Sequence, residues 1–438
     1  MLKPTLLLRN LCLSGCSMVF LQACVGHSVQ PTHRNQTNKL PLLSTNRVVE
    51  HALVPYHIPL TQNVSLSADF QSLEINRVAN QVADWQLSQF DIRSNKMRNE
   101  MRPSGLPEGW MYATFLAGLW HWAEESDSAS YRQATLNLAQ LNDYQLGPRG
   151  YHADDQAIGD IYLSLYDKFG EQRRLLPTQQ VLSYQIENPS LHSLEFTNDN
   201  KDSHVFPLRT FVDPNCTVRW CWADAVFMAP PVFAHLAKIT GEQAYLDFMD
   251  AEFWQMTDYL FDKEHQLYLR DSRYFERKDP QGQPIFWGRG NGWVIAGLAR
   301  TINYLPDSYA NKSRYNSLFS SIADALLKHQ KIDGSWPSSL LESSADQHPE
   351  TSATALIAYG LAWGINQGLL TEDKFLPALT LAWQSIVANV HPDGKVGYVQ
   401  QVAFAPGSAT YDDSQLYGSG AVLLAAAEIS FLLKKSGQ

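Results

Sequence analysis

The sequence predicts an all-α fold, a ring of six helical hairpins of the (α/α)6 barrel type. Three observations carry that expectation: about twelve segments with apolar residues at period 3.6, few strand-like alternations between them, and connectors that are alternately short and long. The segments fall near 64–90, 110–125, 129–143, 156–169, 174–187, 220–239, 243–262, 292–305, 311–331, 352–367, 372–389 and 416–435. No fixed repeat of the kind expected of an α-solenoid, the structural rival, runs through them. The long connectors, at about 188–219, 263–291, 332–351 and 390–415, are rich in Gly and aromatics and are expected to build a cleft at one end of the ring.

With 45% hydrophobic and 11% aromatic residues the chain can bury a large core, and 18% charged residues argues against disorder. A net charge of -10 and a pI near 5.7, with no basic stripe, make nucleic acid an unsuitable partner. An anionic ligand would need Arg gathered locally. No composition break or linker divides residues 48–438, which are expected to form a single domain.

The N-terminus sets the expected compartment. Lys3 and Arg9 precede an apolar stretch from Leu11 to Leu21, and Leu21-Gln22-Ala23-Cys24 reads as a lipobox. It resembles the signals of bacterial lipoproteins, which implies loss of residues 1–23, lipidation of Cys24 and a flexible tether over 24–47. An ordinary secretory peptide is the alternative. The expected location is the bacterial cell envelope, lipid-anchored, with Val25 pointing to the outer membrane. No later segment reads as a membrane span of about 20 apolar residues. Of the five cysteines, Cys216 and Cys221 then remain, free to pair across a short loop in an oxidising envelope.

Trp287-Gly288-Arg289-Gly290-Asn291-Gly292-Trp293 is the most informative stretch. Two indoles offer faces on which a pyranose can stack, the guanidinium can take a carboxylate bidentately, and glycines let backbone approach a ligand. The plainer reading is loop punctuation before a helix with both Trp in the core. In Trp220-Cys221-Trp222-Ala223-Asp224 a carboxylate sits among aromatics, where desolvation raises its pKa and suits proton donation. Otherwise Asp224 caps a helix or pairs with Arg219. His152-Ala153-Asp154-Asp155 precedes another helix; adjacent acids there are often only a cap, and a metal reading lacks further ligands. Neither a metal nor a cofactor is expected.

Together these segments resemble glycoside hydrolase family 105, the unsaturated rhamnogalacturonyl hydrolases, related to the family 88 unsaturated glucuronyl hydrolases. The likeness spans about residues 65–435 through seven ordered pieces. They are Gly109-Trp110, His152 to Asp155, Trp222 to Pro231, Arg270 to Phe275, Trp287 to Trp293, Asp333 to Trp336 and Glu350 to Thr354. The resemblance implies the (α/α)6 barrel and an unusual chemistry, hydration of the C4=C5 double bond that polysaccharide lyases leave on a terminal uronate. Asp224 would be the general acid/base, protonating C4 and taking a proton from the water that adds at C5. The second carboxylate falls on Asp154 or Asp155, with counting back from Gly159 favouring Asp154. Arg289 would bind the uronate carboxylate, Trp287 and Trp293 would shape the subsite, Trp110, His152 and Trp222 would line it, and Arg270 and Arg273 would add positive charge.

One departure stands out. Where many members carry a His in the loop before the Trp-Gly-Arg motif, this chain reads Tyr268-Leu269-Arg270-Asp271. The added cation points away from rhamnogalacturonan disaccharides toward other unsaturated uronides, such as those from ulvan, arabinogalactan or glycosaminoglycan-like chains. Two rival functions remain open: an inverting glycosidase on saturated glycans, with carboxylates about 6.5–9.5 Å apart, and a non-catalytic glycan-capture lipoprotein. The expected partner is an unsaturated oligouronide, with the membrane met only through the lipid anchor and the protein either a monomer or a homodimer.

Overall fold

A computed structural model describes residues 62–91, 96–97, 107–197, 213–342 and 349–437. The chain divides into two units, Met1–Thr45 and Asn46–Gln438, and every described residue belongs to the second. The expected signal peptide, Cys24 and the tether over 24–47 lie outside the described residues.

In chain order the helices are α1 (Ser72–Ser88), α2 (Trp110–Glu125), α3 (Ala129–Leu141), the single turn α4 (Ala153–Gln156), α5 (Gly159–Phe169) and α6 (Gln172–Glu187). They continue with the single turn α7 (Ala225–Met228), α8 (Pro230–Thr240), α9 (Gln243–Leu260), α10 (Gly288–Tyr304), α11 (Lys312–Leu327), α12 (Thr351–Asn366), α13 (Glu372–Ala388) and α14 (Leu416–Ser436). Two small antiparallel hairpins, Phe90–Asp91 with Lys96–Met97 and Phe261–Asp262 with Leu267–Tyr268, complete the described elements.

Helices α2, α5, α8, α10, α12 and α14 each pack on the next, and α14 packs back on α2, which closes a ring. Each has an outer partner: α3 on α2, α6 on α5, α9 on α8, α11 on α10, α13 on α12, and α1 on α14. This is the (α/α)6 barrel, closed by pairing of the first long helix with the last. Composition explains the two layers. Inner helices bury most of their circumference, and every residue of α12 is buried. Outer helices keep one apolar stripe, so α6 buries only Arg174, Leu175, Thr178, Leu182 and Gln185. The α2–α14 contact needs glycine on both sides, because a Cβ at Gly118 would collide with the Gly420 carbonyl and one at Gly420 with the Thr114 carbonyl.

The sequence reading of twelve long helices holds, with four corrections. Helix α1 begins at Ser72 rather than near 64, since the preceding residues have no regular structure and Val64 N bonds the Pro392 carbonyl at 3.0 Å. The 220–239 segment breaks into α7 and α8 because Pro230 and Pro231 lack backbone N–H groups and fit only a first turn. Helix α10 begins at Gly288, which puts the Trp-Gly-Arg motif inside the helix with Trp287 as its N-cap. Finally, α14 does have the length and apolarity of a membrane span, yet 89% of that stretch is buried within the ring, as a core helix requires.

Inner helices all run the same way, because each outer helix returns the chain. Trp110, the α4–α5 junction, the α7–α8 junction, Gly288, Thr351 and Leu416 therefore lie at one end of the ring. Six helix N-termini, each with a partial positive charge, converge there and favour an anionic ligand.

Candidate active site

Asp224 stands at the N-cap of α7, yet its side chain makes no capping hydrogen bond. Arg219 does not pair with it either, being bound to Glu252 at 2.8 Å and Gln255 at 2.9 Å. Both plainer readings of Asp224 therefore fail. Its nearest cation is Arg270, whose Nε lies 3.6 Å from Asp224 Oδ2, too far for a hydrogen bond. Both atoms are buried and have no hydrogen-bond partner among the described residues. Burial raises the Asp224 pKa above the usual carboxylate value, with Arg270 and Arg289 pulling the other way. A buried carboxyl with a raised pKa, beside a guanidinium nitrogen that has no hydrogen-bond partner, suits acid catalysis.

The structure separates Asp154 from Asp155. Asp155 is gripped by Arg149 through Nε at 3.1 Å and Nη2 at 2.5 Å, and by the Arg149 backbone N–H at 2.8 Å. That makes it a clasp for the 147–155 turn. Asp154 has no such arginine clasp and keeps 22% of its side chain exposed. Burial lifts its pKa from 3.8 to about 7, helped by the neighbouring charges of Asp155 and Asp224 and opposed by Arg149. His152 accepts the Asp154 backbone N–H at Nδ1, 3.3 Å away, so its ring proton belongs on Nε2. Burial holds His152 well below its usual pKa, and it lies 4.9 Å from the ring of Trp222.

Arg270 and Arg273 share one counter-ion, the fully buried Asp271, whose pKa they depress. Phe196 and Phe404 flank both guanidinium groups, with Arg273 3.7 Å from the Phe196 ring and Arg270 5.0 Å from that of Phe404. The backbone fixes this loop as well. Ala223 N bonds the Arg270 carbonyl at 2.8 Å, and Asn291 bonds both the N–H and the carbonyl of Tyr268. Asn291 of the Trp-Gly-Arg motif thus holds the hairpin that carries Arg270 beside Asp224.

The rest of that motif serves packing. Trp287, Arg289 and Trp293 are 2%, 1% and 1% exposed, so neither indole offers a face to a sugar in this structure. Arg289 donates to the Gln400 carbonyl at 3.1 Å, to Gln400 Oε1 at 3.3 Å and to the Gln401 carbonyl at 3.0 Å. It also sits 3.6 Å from Glu350. Its guanidinium is committed to the 399–401 loop and is not free to clamp a carboxylate. The glycines approach protein rather than ligand: a Cβ at Gly288 would strike the Pro337 carbonyl, and one at Gly292 would press on Leu356. Trp293 instead supports partly exposed Trp110 from beneath, with ring centroids 6.0 Å apart.

Tyr417 and Gln400 escaped the sequence reading, and Glu350 was given no role in it. Tyr417 stacks near Trp110 at 5.0 Å and donates to the Gln400 carbonyl. Gln400 gathers bonds from Trp287, Arg289 and Ser338, while Glu350 caps α12 through Ala353 N at 2.7 Å and accepts Gln400 N at 3.1 Å. The sulfurs of Cys216 and Cys221 are joined, with Cα atoms 5.3 Å apart, just before Trp222. Asp213 lies beside them, the combination nearest to a metal set among the described residues. Its oxygens already accept from Thr197, Asn215 and Cys216, so it organises the turn.

Comparison with known proteins then decides the family. The profile of Glycosyl Hydrolase Family 88 matches residues 78–433. The chain belongs to this family. The sequence resemblance was to family 105, with family 88 as its relative, and the protein is a glycosidase. The unsaturated 3S-rhamnoglycuronyl hydrolase of Alteromonas sp. (strain LOR) is 39% identical over 370 residues, covering 84% of this chain and 89% of that protein. A second protein of that name, from Formosa agariphila, is 34% identical over 331 residues, 74% of this chain and 84% of its own. A solved family 88 structure from Bacteroides vulgatus, 25% identical, superposes with a TM-score of 0.70 over 83% of this chain and all of that one.

Proposed function

We propose that this protein removes the terminal 4,5-unsaturated uronic acid from lyase-generated oligosaccharides by hydrating its C4=C5 double bond. The observation that carries the chemistry is the buried, unpartnered pair of Asp224 Oδ2 and Arg270 Nε, 3.6 Å apart. Arg270, rather than Arg289, takes the uronate carboxylate, which sets the conjugated double bond beside Asp224. Asp224 gives its proton to C4, water adds its oxygen to C5, and the proton that water loses returns to Asp224. The C5 hemiketal opens, and collapse at C1 expels the remaining saccharide with its own oxygen. Asp154, whose own pKa the neighbouring Asp224 helps to raise, orients sugar hydroxyls. Trp110, Trp222 and His152 line the ring's apolar face.

The relatives' names support a 3-sulfated rhamnose as the next residue, as in ulvan fragments, and Arg270 in place of the expected His agrees with a more anionic substrate. The test is loss of the enoate ultraviolet absorbance on a panel of unsaturated disaccharides, run beside Asp224→Asn. Decay with wild type alone, fastest on the sulfated rhamnoside, supports the reading; preference for galacturonyl-rhamnose overturns the substrate assignment. Fatty-acylation of Cys24 at the cell envelope belongs to the same proposal. Palmitate labelling that survives Cys24→Ala would contradict it.

A further inference from the structure

At the opposite end of the barrel, where the inner helices finish, lies a cavity of about 430 Å³. It is contiguous with a second of about 700 Å³ through Asn303, Tyr304, Trp363 and Gln367. The ends of α2, α10, α12 and α14 form its walls. The reaction at the other mouth uses none of its residues.

Two buried polar atoms of the lining have no hydrogen-bond partner among the described residues, Trp363 Nε1 and His121 Nδ1. Trp363 is only 3% exposed. The charges nearby are already matched. Glu124 is bound by Lys168 at 2.7 Å and Arg132 at 3.4 Å, Glu125 by Lys434 at 2.7 Å, and Arg300 by Asp160 at 2.7 Å. Glu428, which accepts Asn366 at 2.8 Å, is the acid left facing the space. Burial lifts its pKa to about 7 and drives His121 down to about 4, so the polar lining is close to neutral.

We infer that this cavity is a second carbohydrate site, which takes a neutral sugar residue. The reasoning is chemical. An indole N–H and an imidazole nitrogen without a partner in the wall suit a ligand that both accepts and donates, as hydroxyl groups do. Trp120 and the half-exposed Phe431 add apolar surface for the faces of a pyranose ring. An anion is opposed by the negative ends of four helices, and a cation by the indole donor and by the burial that keeps Glu428 protonated up to about pH 7. The size lies within the usual range of about 300–1,000 Å³ for small-molecule sites. Such a site would hold a neutral residue of the polysaccharide while the other mouth works on chain ends. The inference stands apart from the reading of Asp224.

The test is saturation-transfer NMR and calorimetry on the full-length protein with L-rhamnose, D-xylose and D-glucose as probes and glycerol as control. At least one sugar is expected to bind. Trp363→Phe and His121→Ala should each weaken that binding by about tenfold, the loss of one hydrogen bond. Both should leave kcat/KM on the unsaturated disaccharide unchanged, and Arg270→Gln should leave sugar binding unchanged. Thermal melts identify a variant that fails to fold, and the other variant then decides. Absence of binding to all three sugars, equal affinity in the folded far-end variants, or loss only with Arg270→Gln would each overturn the proposal.

Discussion

Asp160 and Asp224 are both buried carboxylates in the same barrel, 2% and 8% exposed, and they do opposite things. Asp160 is fully satisfied: His235 Nδ1 lies 2.7 Å from one oxygen and Arg300 Nη2 2.7 Å from the other. Although burial works against its charge, those partners hold its pKa far below the ordinary range. Asp224 faces a cation it does not touch, and burial pushes its pKa up. Burial of an acid is therefore no signature of function. What separates the two is the partner: Asp160 has its own from the fold, whereas Asp224 Oδ2 has none among the described residues.

The largest expected effect tests the open acid. Asp224→Asn should lower kcat/KM by a factor of about 10² to 10⁴ with the fold intact, read from enoate decay and circular dichroism. Asp160→Asn should do the reverse, costing about 3–5 kcal/mol in denaturant unfolding because Arg300 is left buried without its counter-ion. Activity per folded molecule should stay near wild type; a specific activity that falls with Asp160→Asn at full folding would break the contrast.

Asp154 sharpens it further. Its folded pKa, about 7, exceeds the unfolded 3.8, so its contribution to stability is present in acid and disappears as pH rises through 7. Asp154→Asn should thus stabilise the protein above pH 8 by up to about 4 kcal/mol, and leave stability near pH 3 unchanged. Equal stability of the two proteins at high pH would contradict the raised value. The smallest effect concerns the loop before Asp224. Removing the Cys216–Cys221 bond with a double Ser variant should cost about 2 kcal/mol, the constraint of a short loop, seen as a lower Tm.

The same contrast explains what was legible in the sequence. The twelve long helices were readable because period 3.6 is local, and the buried setting of Asp224 because its aromatic neighbours adjoin it in the chain. Asp160 was invisible, since His235 and Arg300 lie 75 and 140 residues away. Arg289 looked like a carboxylate clamp for the same reason: the carbonyls that occupy it belong to Gln400 and Gln401, over 110 residues on. Asp154 and Asp155 could not be told apart until the chain turn brought Arg149 onto one of them. Residue types marked the chemistry, and long-range partners decided which residues are free to perform it.

The most direct test pairs two substrates that differ only at C4=C5, an unsaturated uronyl-rhamnose disaccharide and its saturated counterpart, incubated with the same enzyme. Hydration at Asp224 predicts release of rhamnose from the unsaturated compound alone. Release from both at comparable rates would mean ordinary attack at the anomeric carbon, and would contradict the account.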